Sequence, residues 1–195
     1  MRDSSAEPAR PVRDRDQDQD ELGPPGDPEQ VARIVCLRLL DRRAYSRAEL
    51  NTALRKRGVP DDAADRVLDR FAELGLIDDA ALADGYALAQ HRERGLAGRA
   101  VALKLRRRGI PDDTVRAAVS QIDSASEQAA AAALATRKLR SMSGLDPAVQ
   151  ARRLVGMLAR KGYSPGLAHT VVRDVLRAAQ GRDFGTAEPL GDWDD

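Results

Sequence analysis

Apolar residues recur along this chain at intervals of three and four, the spacing that gives a helix one buried stripe. The stripe is interrupted three times by the same short signal, a basic residue followed by glycine, at Arg57-Gly58, Arg108-Gly109 and Lys161-Gly162. These glycines lie 51 and 53 residues apart, and aligning them brings other positions into register. Leu54, Leu105 and Leu158 stand four before; Leu50, Val101 and Leu154 eight before; Val59, Ile110 and Tyr163 one after; Leu68, Val119 and Val172 ten after. If the glycine is the left-handed residue just past a helix, the residue after it and the leucine four before it form the apolar contact that closes a Schellman ending. Each signal therefore predicts a helix, a tight turn and a second helix.

The second helices have their own start signals. Pro60-Asp61-Asp62 and Pro111-Asp112-Asp113 place carboxylates where the positive end of the helix dipole favours them, and Ser164-Pro165 supplies an N-cap followed by proline at N1. A further helix precedes each pair. The first runs from about Glu29 to Arg43 with Val31, Ile34, Val35 and Leu39 inward; the second begins near Asp78 and carries Leu82, Tyr86 and Ala89. The third opens with a Ser124/Glu127 capping box and carries Ala130 and Leu134. Ahead of the middle helices, Ser46-Arg47-Ala48-Glu49 reads as a capping box, and Asp146-Pro147 with Gln150 as an N-cap, N1 proline and N3 amide. The middle unit offers only Gly95 and Gly98, so its loop is expected to be the loosest.

The expected fold is all-α, three tandem three-helix repeats forming an elongated curved array. The repeats span 29–75, 76–123 and 124–180, between disordered acidic tails at 1–28 and 181–195. Composition supports this, because aromatics are only 3% of a chain dominated by alanine, leucine, arginine and aspartate. A unit of about fifty residues is marginal alone and gains by stacking on a neighbour. The tails mix charge with proline and glycine and have little to bury; Phe184 and Trp193 are aromatic exceptions, expected to be loosely ordered, with docking on a groove as the alternative. Neither a secretory leader nor a membrane-spanning stretch is seen, which points to the cytoplasm.

Charge alters the picture more than the near-zero total suggests. Residues 1–29 carry 4 basic and 9 acidic side chains and residues 181–195 carry 1 and 5, which leaves a net charge of +10 on residues 30–180. A basic helical body of this kind suits a polyanion or an acidic protein surface. Catalysis has little to draw on: His91 and His169 stand in no motif, no phosphate-binding loop or nucleophile elbow occurs, and the aspartate pairs serve helix starts. Cys36 is alone and lies in an apolar helical run, where it reads as a small buried hydrophobe. No catalytic residue, metal site or cofactor is expected. The candidate partner-binding residues are Arg55, Lys56 and Arg57, Arg106, Arg107 and Arg108, and Arg160 and Lys161 at the helix ends. Arg92, Arg99, Arg152 and Arg153 complete the set. A single basic residue per end is explained by the helix dipole; the excess points to an acidic partner.

Three segments also carry a family pattern. The run ARIVCLRLLDRRAYSRAEL with LRKRGVP, the stretch LIDDAALADGYALAQHRERGLAGRAVALKLRRRGIP and the closing LVGMLARKGYSPGLAHTVV together resemble the RecX family of recombinase regulators, over residues 30–179. An aspartate, an alanine, an aromatic and an arginine ahead of a glycine fall at Asp79, Ala83, Tyr86, Arg92 and Gly95. The glutamate that commonly precedes the leucine of the second helix is present at Glu49, but Ala100 and Arg153 occupy the later copies. The resemblance implies a non-enzymatic monomer that lies along the groove of the RecA nucleoprotein filament and mainly inhibits it, affecting recombination, repair and the SOS response. Single- or double-stranded DNA is a further implied partner. The alternative is a stand-alone DNA-binding helical module; a tetratricopeptide-like adaptor fits neither the repeat length nor the expected tryptophan, glycine and tyrosine pattern.

Overall fold

The structure is a computed structural model that describes residues 26–183. Those residues form nine helices and no strands, in three successive units. The first holds α1 (Pro28–Leu40), α2 (Arg47–Arg55) and α3 (Asp61–Glu73); the second α4 (Asp79–Arg94), α5 (Gly98–Arg107) and α6 (Asp112–Ser120); the third α7 (Ser124–Arg140), α8 (Pro147–Arg160) and α9 (Pro165–Asp183). The helix of α9 continues three residues into the stretch expected as a tail. The remainder of both tails, with Phe184 and Trp193, lies outside the described residues.

The three glycine turns are complete Schellman endings. Gly58, Gly109 and Gly162 have φ of +72°, +75° and +92°, a region that a side chain would disfavour. In each, the residue after the glycine donates its N–H to the leucine carbonyl at 3.2 Å: Val59 to Leu54, Ile110 to Leu105 and Tyr163 to Leu158. The glycine N–H closes the inner bond onto Arg55, Arg106 and Ala159 at 2.9–3.0 Å. Orphan carbonyls at the helix end are thereby satisfied without a ligand.

Three apolar cores follow the repeat. Leu50, Leu54 and Leu68 are fully buried in the first, Leu105 and Val101 in the second, Leu154 and Leu158 in the third. Truncating any of these leucines to alanine removes roughly 2–5 kcal/mol. Cys36 is fully buried in the first core, and burial pushes its thiol up to about 11, so it acts as packing. The first helices bury smaller side chains than their pattern suggested. Ala83 and Ala87 of α4 are inaccessible while Leu82 and Tyr86 flank them, which lets α4 lie close to its neighbours.

Two local expectations are corrected. Asp123, not Ser124, caps α7, its carboxylate accepting the Ser126 N–H at 2.6 Å; Glu127 is directed elsewhere, as described below. Asp146 does cap α8, but Gln150 is the fourth residue of that helix rather than the N3 amide, and it donates to the Met142 carbonyl at 3.0 Å. The capping box of Ser46 and Glu49 is formed as expected.

Candidate functional site

Most of the basic residues singled out by the repeat stand at two kinds of place, the joints between units and the outer stripe of the middle helices. The joints come first because they decide which charges remain.

At the first joint the end of α5 sits on the start of α2. Arg108 forks onto Glu49, Nε to Oε1 at 3.0 Å and Nη2 to Oε2 at 2.8 Å, and Nη2 also donates to the Ala44 carbonyl at 3.1 Å. Its guanidinium lies 5.5 Å from the Tyr86 ring centroid. Ser46, fully buried, donates its hydroxyl to the Arg108 carbonyl at 2.6 Å while accepting from Glu49 N–H. The Arg47 N–H, left free at the start of α2, donates to Asp79 of the second unit at 3.0 Å. Only 17% of the Arg108 side chain and 23% of Glu49 remain exposed, which makes the fork a shielded pair, with charged hydrogen bonds of about 1.5–3 kcal/mol each. Burial alone would raise the Glu49 carboxyl, but hydrogen bonds from Arg108, the Ser46 N–H and Arg43 outweigh it and hold the group below its ordinary range.

The second joint repeats the arrangement with different chemistry. Glu127 of α7 accepts the Gly98 N–H at 2.6 Å, capping α5 from the next unit as Asp79 caps α2. Lys161 donates its ammonium to the Arg94 carbonyl, the Lys161 carbonyl accepts the Ala97 N–H at 3.0 Å, and the Tyr163 hydroxyl donates to the Gly95 carbonyl at 3.1 Å. Burial pushes the Tyr163 phenol up to about 12, so it stays a donor. His91, also buried, donates through Nδ1 to the Leu96 carbonyl at 2.9 Å, since a carbonyl can only accept. Ala97 is buried in the third unit's core. The loop expected to be the loosest is thus tied down on every side by groups from outside its own start signal.

The family-pattern residues fall mostly at these joints. Asp79 caps α2, Ala83 is core, Tyr86 lies beneath Arg108, and Gly95 takes a left-handed φ of +58° against Leu134; Arg92 alone is exposed. The departures at the glutamate position now have a reason. Glu49 receives an arginine from the following unit, whereas Ala100 offers no carboxylate and packs against Gly162, and Lys161 takes the Arg94 carbonyl instead. Arg153 has no following unit among the described residues and is exposed.

The remaining cations divide in two. Arg55 and Arg106, equivalent in the repeat, each bind the aspartate that opens the next helix, Arg55 to Asp61 at 2.8 Å and Arg106 to Asp112 at 2.6 Å. Lys56, Arg57, Arg92, Arg99, Arg107, Arg152, Arg153 and Arg160 are exposed, and among the described residues none has a carboxylate within ion-pair distance. Arg99 matches Arg152, and Lys56, Arg107 and Arg160 match one another, so each middle helix ends in an exposed cation. Leu103, four residues from both Arg99 and Arg107, is 49% exposed on the same stripe of α5. Its only sequence signal is a leucine off the packing stripe. Among the described residues no cluster of three or more His, Cys, Asp or Glu side chains could hold a metal, and no helix is long and apolar enough to cross a membrane.

Three family models match in order: the RecX first three-helix domain at residues 32–71, the second at 78–119 and the third at 125–172. The chain belongs to the RecX family. It is 49% identical over 162 residues to the regulatory protein RecX of Thermobifida fusca, covering 80% of this chain and 88% of that one. It is 46% identical over 149 residues to its counterpart in Mycolicibacterium smegmatis, covering 74% and 79%. The fold matches the crystal structure of RecX from Lactobacillus salivarius with a TM-score of 0.70 at 18% identity, over 77% of this chain and 98% of that one. The RecX resemblance read from sequence is therefore established, as are its all-helical fold and tandem three-helix repeats.

Proposed function

We propose that this chain is a cytoplasmic regulator that binds the RecA nucleoprotein filament along its groove and mainly inhibits it. The observation that carries the reading is the set of exposed cations, without an ion-pair partner among the described residues, at repeat-equivalent positions of α2, α5 and α8, in a chain of the RecX family. A helical filament offers a repeating acidic surface, and a tandem array with one free cation cluster per unit can meet it at several points at once. The contact set is Lys56, Arg57, Arg92, Arg99, Arg107, Arg152, Arg153 and Arg160, with Leu103 as an apolar contact in the middle unit. Arg108 and Lys161 act indirectly, by holding the units in register.

Strand exchange by RecA, measured with and without saturating protein, should slow in its presence; equal rates would refute the reading. Co-sedimentation with filaments preformed on single-stranded DNA should show binding that weakens on charge reversal of Arg107 and Arg160 together. Independent DNA binding is the second reading, favoured by the same cations. Tight binding to DNA without RecA, falling steeply as salt rises, would support it instead.

A further inference from the structure

The third unit carries an open groove of about 620 Å³ between α8 and α9. Its floor is apolar, formed by Ala151, Val155, Val172 and Leu176, and its rim carries Arg152, Arg173 and Arg177. Among the described residues Arg173 and Arg177 share a single exposed carboxylate, Asp174, at 3.4 and 3.6 Å, and Arg152 has no such partner, so the rim keeps a positive excess. The smaller groove on the other side of α9, between α7 and α9, is lined by Asp174 and by no cation. The two faces of α9 therefore favour different occupants.

We propose that the groove between α8 and α9 is occupied by this chain's own segment 184–195, which masks the basic face of the third unit. Three observations select that occupant. The segment, FGTAEPLGDWDD, contains no basic residue, four acidic ones (Glu188, Asp192, Asp194, Asp195) and three large apolar ones (Phe184, Leu190, Trp193), matching a cationic rim around an apolar floor. It starts in the right place, because α9 runs through Asp183, one turn beyond the groove's last residue, Gln180. It is also long enough. From Gln180 back to His169 the groove follows α9 for about 16 Å at 1.5 Å per residue. After a reversal at Gly185, the eight residues from Glu188 can extend about 26 Å. Leu190 and Trp193 then supply the apolar anchors and the carboxylates face the arginines.

The inference stands apart from the filament reading, although Arg152 belongs to both surfaces. Docking of the segment would thus compete with any acidic partner at the third unit.

Trp193 is the only tryptophan in the chain, so its fluorescence reports the segment directly. In the full chain at low salt, Trp193 emission should be blue-shifted and shielded from acrylamide relative to a synthetic peptide of residues 184–195. Reversing two exposed rim charges, Arg173→Glu with Arg177→Glu, should weaken docking about tenfold and return the emission toward that of the peptide. Unchanged helical circular dichroism would show that the variant is folded. Leu190→Asp, a change outside the helical body, should have the same effect. The shift should be independent of protein concentration and fade as salt screens the rim. Emission equal to that of the free peptide at low salt overturns the proposal. So does a shift that both variants leave intact, or one that grows with protein concentration, which would assign the segment to a second copy.

Discussion

The turns at Gly58 and Gly109 are close to identical in local geometry, with φ of +72° and +75° and the same pair of closing hydrogen bonds, yet they do different work. A Cβ added at Gly58 meets nothing within 4 Å. One added at Gly109 would overlap Ala48 of the first unit, and one at Gly162 would come within 2.6 Å of the Ala100 Cβ. Likewise Arg57 reaches only a carbonyl of its own helix, Ala53, at 3.3 Å, while Arg108 forks onto Glu49 across the joint. The first copy of the motif ends a helix. The later copies end a helix and also seat each unit against the one before it.

The comparison can be broken most sharply at the glycines. Gly109→Ala should destabilise by about 2–5 kcal/mol, from strain at positive φ plus the clash with Ala48, whereas Gly58→Ala should cost only about 1–2 kcal/mol of backbone strain. Urea unfolding of the two variants checks this, and equal losses would mean that the joint relaxes without cost. The arginines sharpen it next. Arg108→Ala should cost about 1.5–3 kcal/mol because Glu49 is left half-shielded without its partner, while Arg57→Ala should stay within about 0.5 kcal/mol.

Ser46→Ala removes both the cap of α2 and the donor to the Arg108 carbonyl, and should cost about 1–2 kcal/mol, more than Ser164→Ala, which loses one long exposed cap bond at 3.3 Å. The smallest effect concerns acid. The Glu49 carboxyl is held below its ordinary value of 4.5, so its contribution is complete above that value and is lost as pH falls through the folded-state value. Wild-type stability followed below pH 4.5 should therefore decline more steeply than that of Glu49→Gln, in which this proton uptake is absent.

The joints also explain what could be read from the chain before its structure. Core positions such as Leu54, Leu105 and Leu158 were legible because their partners lie within one helix turn and the adjoining glycine. The role of Glu127 was not. Its spacing from Ser124 imitates a capping box, but the Gly98 N–H, 29 residues earlier, offers a bare helix start with no side-chain cap of its own. The basic ends were legible as a group and not as individuals, since nothing near Arg107 or Arg108 in sequence says which of them faces the preceding unit.

Helix number, the glycine turns, the apolar stripes and the basic body are set by the sequence alone, because each depends on hydrogen bonds and packing among residues a few positions apart. Which cations remain free for a partner was decided only by tertiary structure. Arg108 and Glu49 are 59 residues apart and Lys161 and Arg94 are 67 apart, so their pairing depends on the register in which one unit lands on the next. That register is fixed by close approach at Ala48 and Ala100 to glycines that carry no side chain, a fit of shapes that no local pattern records.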